Sequence, residues 1–249
     1  MRNTIRLAQL LIVMMIFFCG SALAQSTIFN IPTTDTVAKG KVYAEFDFMP
    51  QIPAPDGSRT YLYNPRFVIG VPHNVELGVN LPIYNYTGSG AVANAYIQPN
   101  AKWKFYDNAK SGVALAFGGV LNTPLNHTEN QDSWGYLYGL LSKKFKGDYG
   151  PRFHFGGYGV ISNDKGTAFI GDRGGAILGY EQPISKKVSI VADWFSQING
   201  LGYFTPGISI TVPGNGLLNA GYSIGNDSWG KGAANPNNRA LFLYYGVTF

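Results

Sequence analysis

The chain has 249 residues, with 19 Lys and Arg against 14 Asp and Glu, a formal net charge of +5 and a single cysteine. So mild a positive excess, without a basic run, excludes nucleic acid as an expected partner, and one cysteine excludes an internal disulfide or a thiolate metal site. Abundant Gly (32), Tyr (16) and Phe (16) suit strands and tight turns rather than helices.

Residues 1–24 read as a secretory signal peptide that is cleaved. Arg2 and Arg6 precede an apolar run from Leu10 to Phe18, and Ala22-Leu23-Ala24 supplies a small-x-small cleavage site. The run is shorter than the ~20 residues that a membrane-spanning helix needs. Cys19 lies inside this leader, and Phe17-Phe18 before it do not suit a lipoprotein signal. Removal of Arg2 and Arg6 leaves seventeen basic against fourteen acidic residues, a net charge of +3. Residues 25–41 are expected to form an N-terminal periplasmic segment, and 42–249 a single domain.

Twelve strands are predicted in that domain, near 42–49, 60–71, 75–85, 94–106, 113–122, 134–145, 152–161, 173–182, 188–196, 204–212, 217–225 and 239–249. Each rests on period-two alternation of apolar and polar residues. In the first, Val42, Ala44, Phe46 and Phe48 oppose Tyr43, Glu45 and Asp47. In the third, Val75, Leu77, Val79, Leu81 and Ile83 oppose Glu76, Gly78 and Asn80. In the fourth, Ala101, Trp103 and Phe105 oppose Asn100, Lys102 and Lys104. The last, "LFLYYGVTF", keeps its alternation through Phe249.

Short connectors ("PHN", "DNAKSG", "PISKK", "PGNG") alternate with longer ones ("TGSGAVA", "TPLNHTENQDS", "NDSWGKGAANPNN") along the chain. An all-β, antiparallel transmembrane barrel of about twelve strands has this layout, with tight periplasmic turns and longer extracellular loops. A secreted β-sandwich would show the same alternation with its apolar faces turned inward. Three features favour lipid. Rings gather near strand ends (Tyr61, Tyr63, Trp103, Phe105, Trp194, Phe249), the strand count is even, and the terminal strand is bare.

The terminal alternation ending in Phe249 resembles the closing strand of bacterial outer-membrane β-barrels. That resemblance implies that Phe249 is read by the barrel assembly machinery, and places the protein in the outer membrane of a Gram-negative-type envelope. The opening "IPTTDTVAKGKVYAEFDF" (31–48) also resembles transporter-like barrels of phenol meta-cleavage pathways. This implies transport of hydrophobic or aromatic compounds, and carries over no functional residues.

If the apolar faces meet lipid, Glu45, Asp47, Asn64, Arg66, Asn80, Lys102, Lys104, His154 and Asp193 face the lumen. They either fill it as a polar network or line a water path, since twelve strands fall between filled and open barrels. Inward rings such as Tyr43, Tyr96, Tyr158, Phe242 and Tyr244 narrow it. Counting from the short turns sets Asp47 level with Arg66 and Asn80, as a structural ion pair or a charged constriction. Trp134 and Trp229, each in a "DSWG" tetrapeptide, are expected to anchor at the membrane interface.

No catalytic role is expected: His73, His127 and His154 have no serine two residues away. No metal or cofactor is expected either, since the histidines lack ligand spacing and Asp164 and Asp172 fit no calcium loop. The expected partners are outer-membrane lipid, the assembly machinery and a small-molecule solute. The function expected is a porin-like channel or transporter, with a structural, adhesive or lipid-modifying barrel as the alternative.

Overall fold

The computed structural model describes residues 26–54, 56–87, 93–126, 132–162, 171–229 and 235–249. The leader assigned to 1–24 lies outside these residues, as do His127 and Asp164. Thirteen strand segments form one antiparallel sheet. They are β1 (Val42–Pro50), β2 (Arg59–Val71), β3 (Val75–Asn80), β4 (Ile83–Thr87), β5 (Asn94–Asn108), β6 (Val113–Pro124), β7 (Trp134–Lys144), β8 (Arg152–Ser162), β9 (Gly174–Pro183), β10 (Val188–Phe195), β11 (Tyr203–Val212), β12 (Gly216–Gly225) and β13 (Arg239–Thr248).

β3 and β4 are two halves of one stave, for both pair with β2 and with β5. Pro82 interrupts them because it has no N–H to give the ladder. The sheet therefore has twelve staves, as the alternation predicts. It closes where β1 pairs with β13, from Tyr43 opposite Thr248 to Phe48 opposite Leu243. Beyond that register Phe249 N–H donates to Val42 O at 2.8 Å, so the last residue belongs to the seam.

The outward positions are apolar: Phe46, Phe67, Leu77, Trp103, Phe117, Phe155, Ile190 and Leu243 are each 38–51% exposed. The only outward charges on the described strands, Arg59, Lys143 and Arg239, sit near strand ends. That is the distribution lipid demands, since a midplane Arg or Lys costs ~2–4 kcal/mol. Short connectors lie together at one end. In the "PHN" turn His73 and Asn74 have φ of 66° and 58°, a left-handed pair that reverses the chain within three residues.

Residues 26–38 depart from their expected place on the periplasmic side, for they pack inside the barrel. The chain leaves Val42 at the short-turn end, turns at Gly40 (φ 77°) and rises into the lumen. It folds back through a turn in which Ile28 N–H donates to Ile31 O, and Thr33 N–H donates to Ser26 O at 2.9 Å. Ile28, Phe29, Ile31 and Val37 are buried. These apolar side chains would otherwise stand in water, and the wall offers them gaps left by inward glycines. Ile31 and Ile28 lie over Gly179, and the Phe29 ring sits where side chains at Gly207 and Gly221 would be.

Candidate functional site

The described strands enclose a lumen, and the inserted segment divides it. The wall grips that segment at its base, at mid-height and at its tip. At its base, Arg152 of β8 makes a two-pronged contact to Asp35, NH1 to Oδ2 at 2.5 Å and NH2 to Oδ1 at 2.9 Å, and NH2 also donates to Thr34 Oγ1 at 3.0 Å. Glu76 of β3 holds both arms of the hairpin, accepting from Ser26 Oγ at 2.5 Å and Val37 N–H at 2.9 Å. Lys102 of β5 pairs with Glu76 at 2.9 Å and donates to Ser26 O at 3.1 Å.

At the tip, Asp193 Oδ2 on β10 accepts three backbone N–H groups, from Phe29 (2.9 Å), Asn30 (2.6 Å) and Ile31 (2.9 Å). Those donors point into the turn and have no partner within it, so one carboxylate oxygen satisfies all three. Asn30 Nδ2 adds a bond to Thr205 Oγ1 at 2.9 Å, and Asn219 Nδ2 donates to Ile28 O at 3.1 Å. Asp35 is the one ionisable group of the segment itself. Burial pushes its carboxyl up, but the Arg152 charge and hydrogen bonds outweigh that and hold it down at about 2.

A third cluster lies beside the tip. Arg66 NH1 contacts Glu45 Oε1 directly, stands 3.8 Å from Asp47 Oδ2 and donates to Thr27 Oγ1 at 3.1 Å. Its Nε donates to Asn80 Oδ1 at 3.3 Å. Asp47 is held chiefly by Asn64, whose Nδ2 donates to Oδ2 at 2.8 Å. The structure thus makes Glu45 the nearer partner of Arg66. In the strand register Glu45 is directly opposite Arg66, and Asp47 is opposite Asn64.

Glu45, Asp47, Asn64, Asn80, Lys102, His154 and Asp193 are all buried in the lumen, and Arg66 is nearly so. Lys104 lies on the same inward face, opposite buried Ala116, and the register shift that follows it brings exposed Asp107 onto that face, where the two pair at 2.7 Å. The two "DSWG" tryptophans also part company. Trp229 is 52% exposed against Phe204, whereas Trp134 lines the lumen and stacks on Tyr136.

Sequence spacing gave no sign of one further arrangement. Ser142 Oγ on β7 lies 2.6 Å from His154 Nδ1 on β8, and His154 Nε2 lies 2.6 Å from Glu181 Oε1 on β9. Three adjacent strands bring together what the chain separates by 12 and 27 positions. The composition is that of a nucleophile–base–acid relay. However, Thr34 Oγ1 of the inserted segment donates to Ser142 Oγ at 2.9 Å, and the serine is only 1% exposed. No substrate carbonyl reaches that oxygen, so the line serves to hold Thr34. Among the described residues no group of three His, Cys, Asp or Glu is placed to hold a metal ion.

Two cavities flank the segment. One, of about 290 Å³, lies between the hairpin tip and the long-loop end, with Asp47, Asn64 and Arg66 on its floor and Tyr84, Tyr136 and Phe195 on its walls. The other, of about 730 Å³, opens toward the short turns and is lined by Asp35, Arg152, Glu181, Ser209 and Thr211.

No family model matches the chain, and no curated protein matches it in sequence. Among solved structures it is similar to an outer-membrane channel from Pseudomonas putida F1, with a TM-score of 0.60 at 12% identity over 86% of this chain and 97% of that one. It aligns less well with the translocator domain of the autotransporter NalP from Neisseria meningitidis (TM-score 0.38, 12% identity, 84% and 87% covered). CdiB from Acinetobacter baumannii gives 0.36 at 9% identity, with 86% and 60% covered. The first of these likenesses establishes the fold: an all-β, closed, twelve-stranded antiparallel barrel of the kind found in an outer-membrane channel.

Proposed function

We propose that this barrel resides in the bacterial outer membrane, after removal of residues 1–24, as a small-molecule channel held shut by its own N-terminal segment. One observation carries the reading: residues 26–37 form a hairpin plug with a cavity on either side. A barrel with a purely structural role needs neither cavity, and its lumen could be filled by wall side chains alone. The plug is held by polar contacts and by four buried apolar side chains, not by a covalent link, so it can be displaced and can return. Passage then requires the plug tip to leave Asp193 and the glycine sockets.

The Pseudomonas putida protein that shares the fold is described as a channel, which favours transport over adhesion or lipid modification. The phenol meta-cleavage resemblance of 31–48 favours hydrophobic or aromatic solutes.

Planar bilayers test the reading. The intact barrel should show low and intermittent conductance, and a variant lacking residues 26–37 should show a steady conductance at least tenfold higher. A deletion variant that folds, judged by its altered gel migration when unheated, yet passes no current would rule out a channel closed in this way.

A further inference from the structure

The charges on the outside of the barrel are sorted by end. Every described lysine except buried Lys102 stands at or near the short-turn end, whereas the outward arginines, Arg59 and Arg239, stand at the other. Five of these lysines crowd two neighbouring turns. The connector after β7 carries Lys146, beside Lys143 and Lys144 at the strand's end, and the connector after β9 carries Lys186 and Lys187. Asp148 is the one acid on those connectors. Among the described residues none of the five lysines makes an ion pair. β8 and β9 pair side by side, and Gln182 Nε2 donates to Tyr149 O at 2.8 Å, which ties the two turns together. So many like charges held on one stretch of rim attract an anion.

Apolar side chains accompany the charges. Phe145, Tyr149 and Ile184, on the same turns, are 48–56% exposed. Lys143 Nζ stands 5.8 Å from the centre of the Phe145 ring, and ring contacts continue from Phe145 to Phe153 at 5.9 Å and from Phe153 to Tyr180 at 5.1 Å. Phe153 and Tyr180 form the near end of a groove of about 560 Å³ on the outer wall. Ala192, opposite Tyr180 in the register, is the small side chain that opens it, between Phe155, Leu178, Trp194 and Phe204. A row of rings thus leads from the lysines into an apolar trough.

Two occupants suit the charges, an acidic polypeptide and an anionic lipid. The polypeptide would meet the lysines and leave the trough empty. A phospholipid meets both, since compact lysine charges suit its phosphate and the trough suits a hydrocarbon chain. The trough is also continuous with the apolar outer wall, and short turns face the periplasmic leaflet, where glycerophospholipids lie.

We infer that this rim and groove seat one anionic phospholipid of the periplasmic leaflet, its phosphate among Lys143, Lys146 and Lys186 and one acyl chain along Phe153, Tyr180 and Ala192. The inference rests on the membrane residence proposed above and not on passage through the lumen.

Trp194 and Trp229 line the groove and report on it. The purified mature barrel is inserted into phosphatidylcholine vesicles that contain a small, equal fraction of either phosphatidylglycerol or phosphatidylcholine brominated on its chains, which quenches nearby tryptophans. The phosphatidylglycerol should quench roughly three times as strongly at low salt, and 0.5 M NaCl should reduce the excess. Lys146→Gln with Lys186→Gln should remove the excess. Lys39→Gln with Lys41→Gln removes as much charge from the same end but beside β1, across the ring, and should keep it. Ala192→Phe, which fills the groove, should at least halve it. Equal quenching by the two lipids overturns the seat, and binding of poly-L-glutamate by Lys146 and Lys186 would then assign the patch to an acidic polypeptide. An excess lost equally in both lysine pairs, or kept in the Lys146 and Lys186 pair, also overturns it. Phosphatidylglycerol preference in a barrel that carries no current without its plug would overturn the channel and leave the seat standing. Current without lipid preference would do the reverse.

Discussion

Arg66 is the residue on which most of the upper lumen turns, since its one side chain reaches Glu45, Asp47, Asn80 and Thr27 of the plug. Removing one member of a buried ion cluster strands the others, at a cost of ~3–5 kcal/mol. Arg66→Ala should therefore lower the thermal unfolding midpoint in detergent markedly. Replacing the cluster together, as Arg66→Met with Glu45→Gln and Asp47→Asn, should recover much of the loss because no charge is left unpaired. A single mutant that melts like the parent would mean that these charges do not interact as described. Alternation puts Asp47, Arg66 and Asn80 on the faces opposite the apolar ones, since it fixes the side on which a residue lies. It does not distinguish Glu45 from Asp47 as the nearer partner. The two share a face two residues apart, and only the register, Glu45 opposite Arg66, decides.

The strands were legible because a half-buried strand has a period of two wherever it lies, and each candidate corresponds to a stave. The plug was not. Residues 26–38 have no periodicity, and their apolar members fit the lumen only because glycines on distant strands leave room for them. Gly207 and Gly221 meet the Phe29 ring, and a Cβ at Gly221 would come within 2.6–3.0 Å of three of its atoms. Gly221→Val should expel the tip while leaving the wall paired, and so raise bilayer conductance without loss of heat-modifiable folding. Unchanged conductance in a folded variant would show that this socket does not hold the plug.

The base of the plug should respond to acid. Asp35 is ionised down to about 2, against 3.8 ordinarily, so its hold on Arg152 is fully present above pH ~4 and is lost as pH falls toward 2. His154, Lys102 and Glu181 also face this region. Asp35→Asn separates them. Channel openings in the parent should become more frequent between pH 5 and pH 2.5, whereas in the variant they should be frequent at both. If the variant keeps the parent's pH response, the acid-sensitive group lies elsewhere.

At the scale of the whole molecule, the barrel is a ring whose first stave cannot be satisfied until the last arrives. β1 is paired by β2 early in the chain, but its other edge waits for β13, some 190 residues later in sequence. The plug belongs to the same closure, because Tyr244 on β13 and Asn219 on β12 reach Thr27 and Ile28 inside. Tyr43 also leans across the seam onto Gly246, where a side chain would collide with its ring. Phe249 sits at the end of this edge, exchanging backbone hydrogen bonds with Val42 while its ring faces outward, 48% exposed. Its ring therefore contributes little to packing inside the barrel, and any large effect of removing it would be on assembly. Deletion of Phe249, or Phe249→Asp, should sharply reduce the heat-modifiable barrel recovered from membranes, whereas Lys110→Gln on an exposed short turn should not. Barrel refolded in detergent from the same Phe249 variants should melt within a few degrees of the parent, since only the seam's last hydrogen bonds are disturbed. Equal membrane yields for the Phe249 and Lys110 variants would remove the role in assembly. A melting point lowered as far as that of Arg66→Ala would recast Phe249 as a structural residue instead.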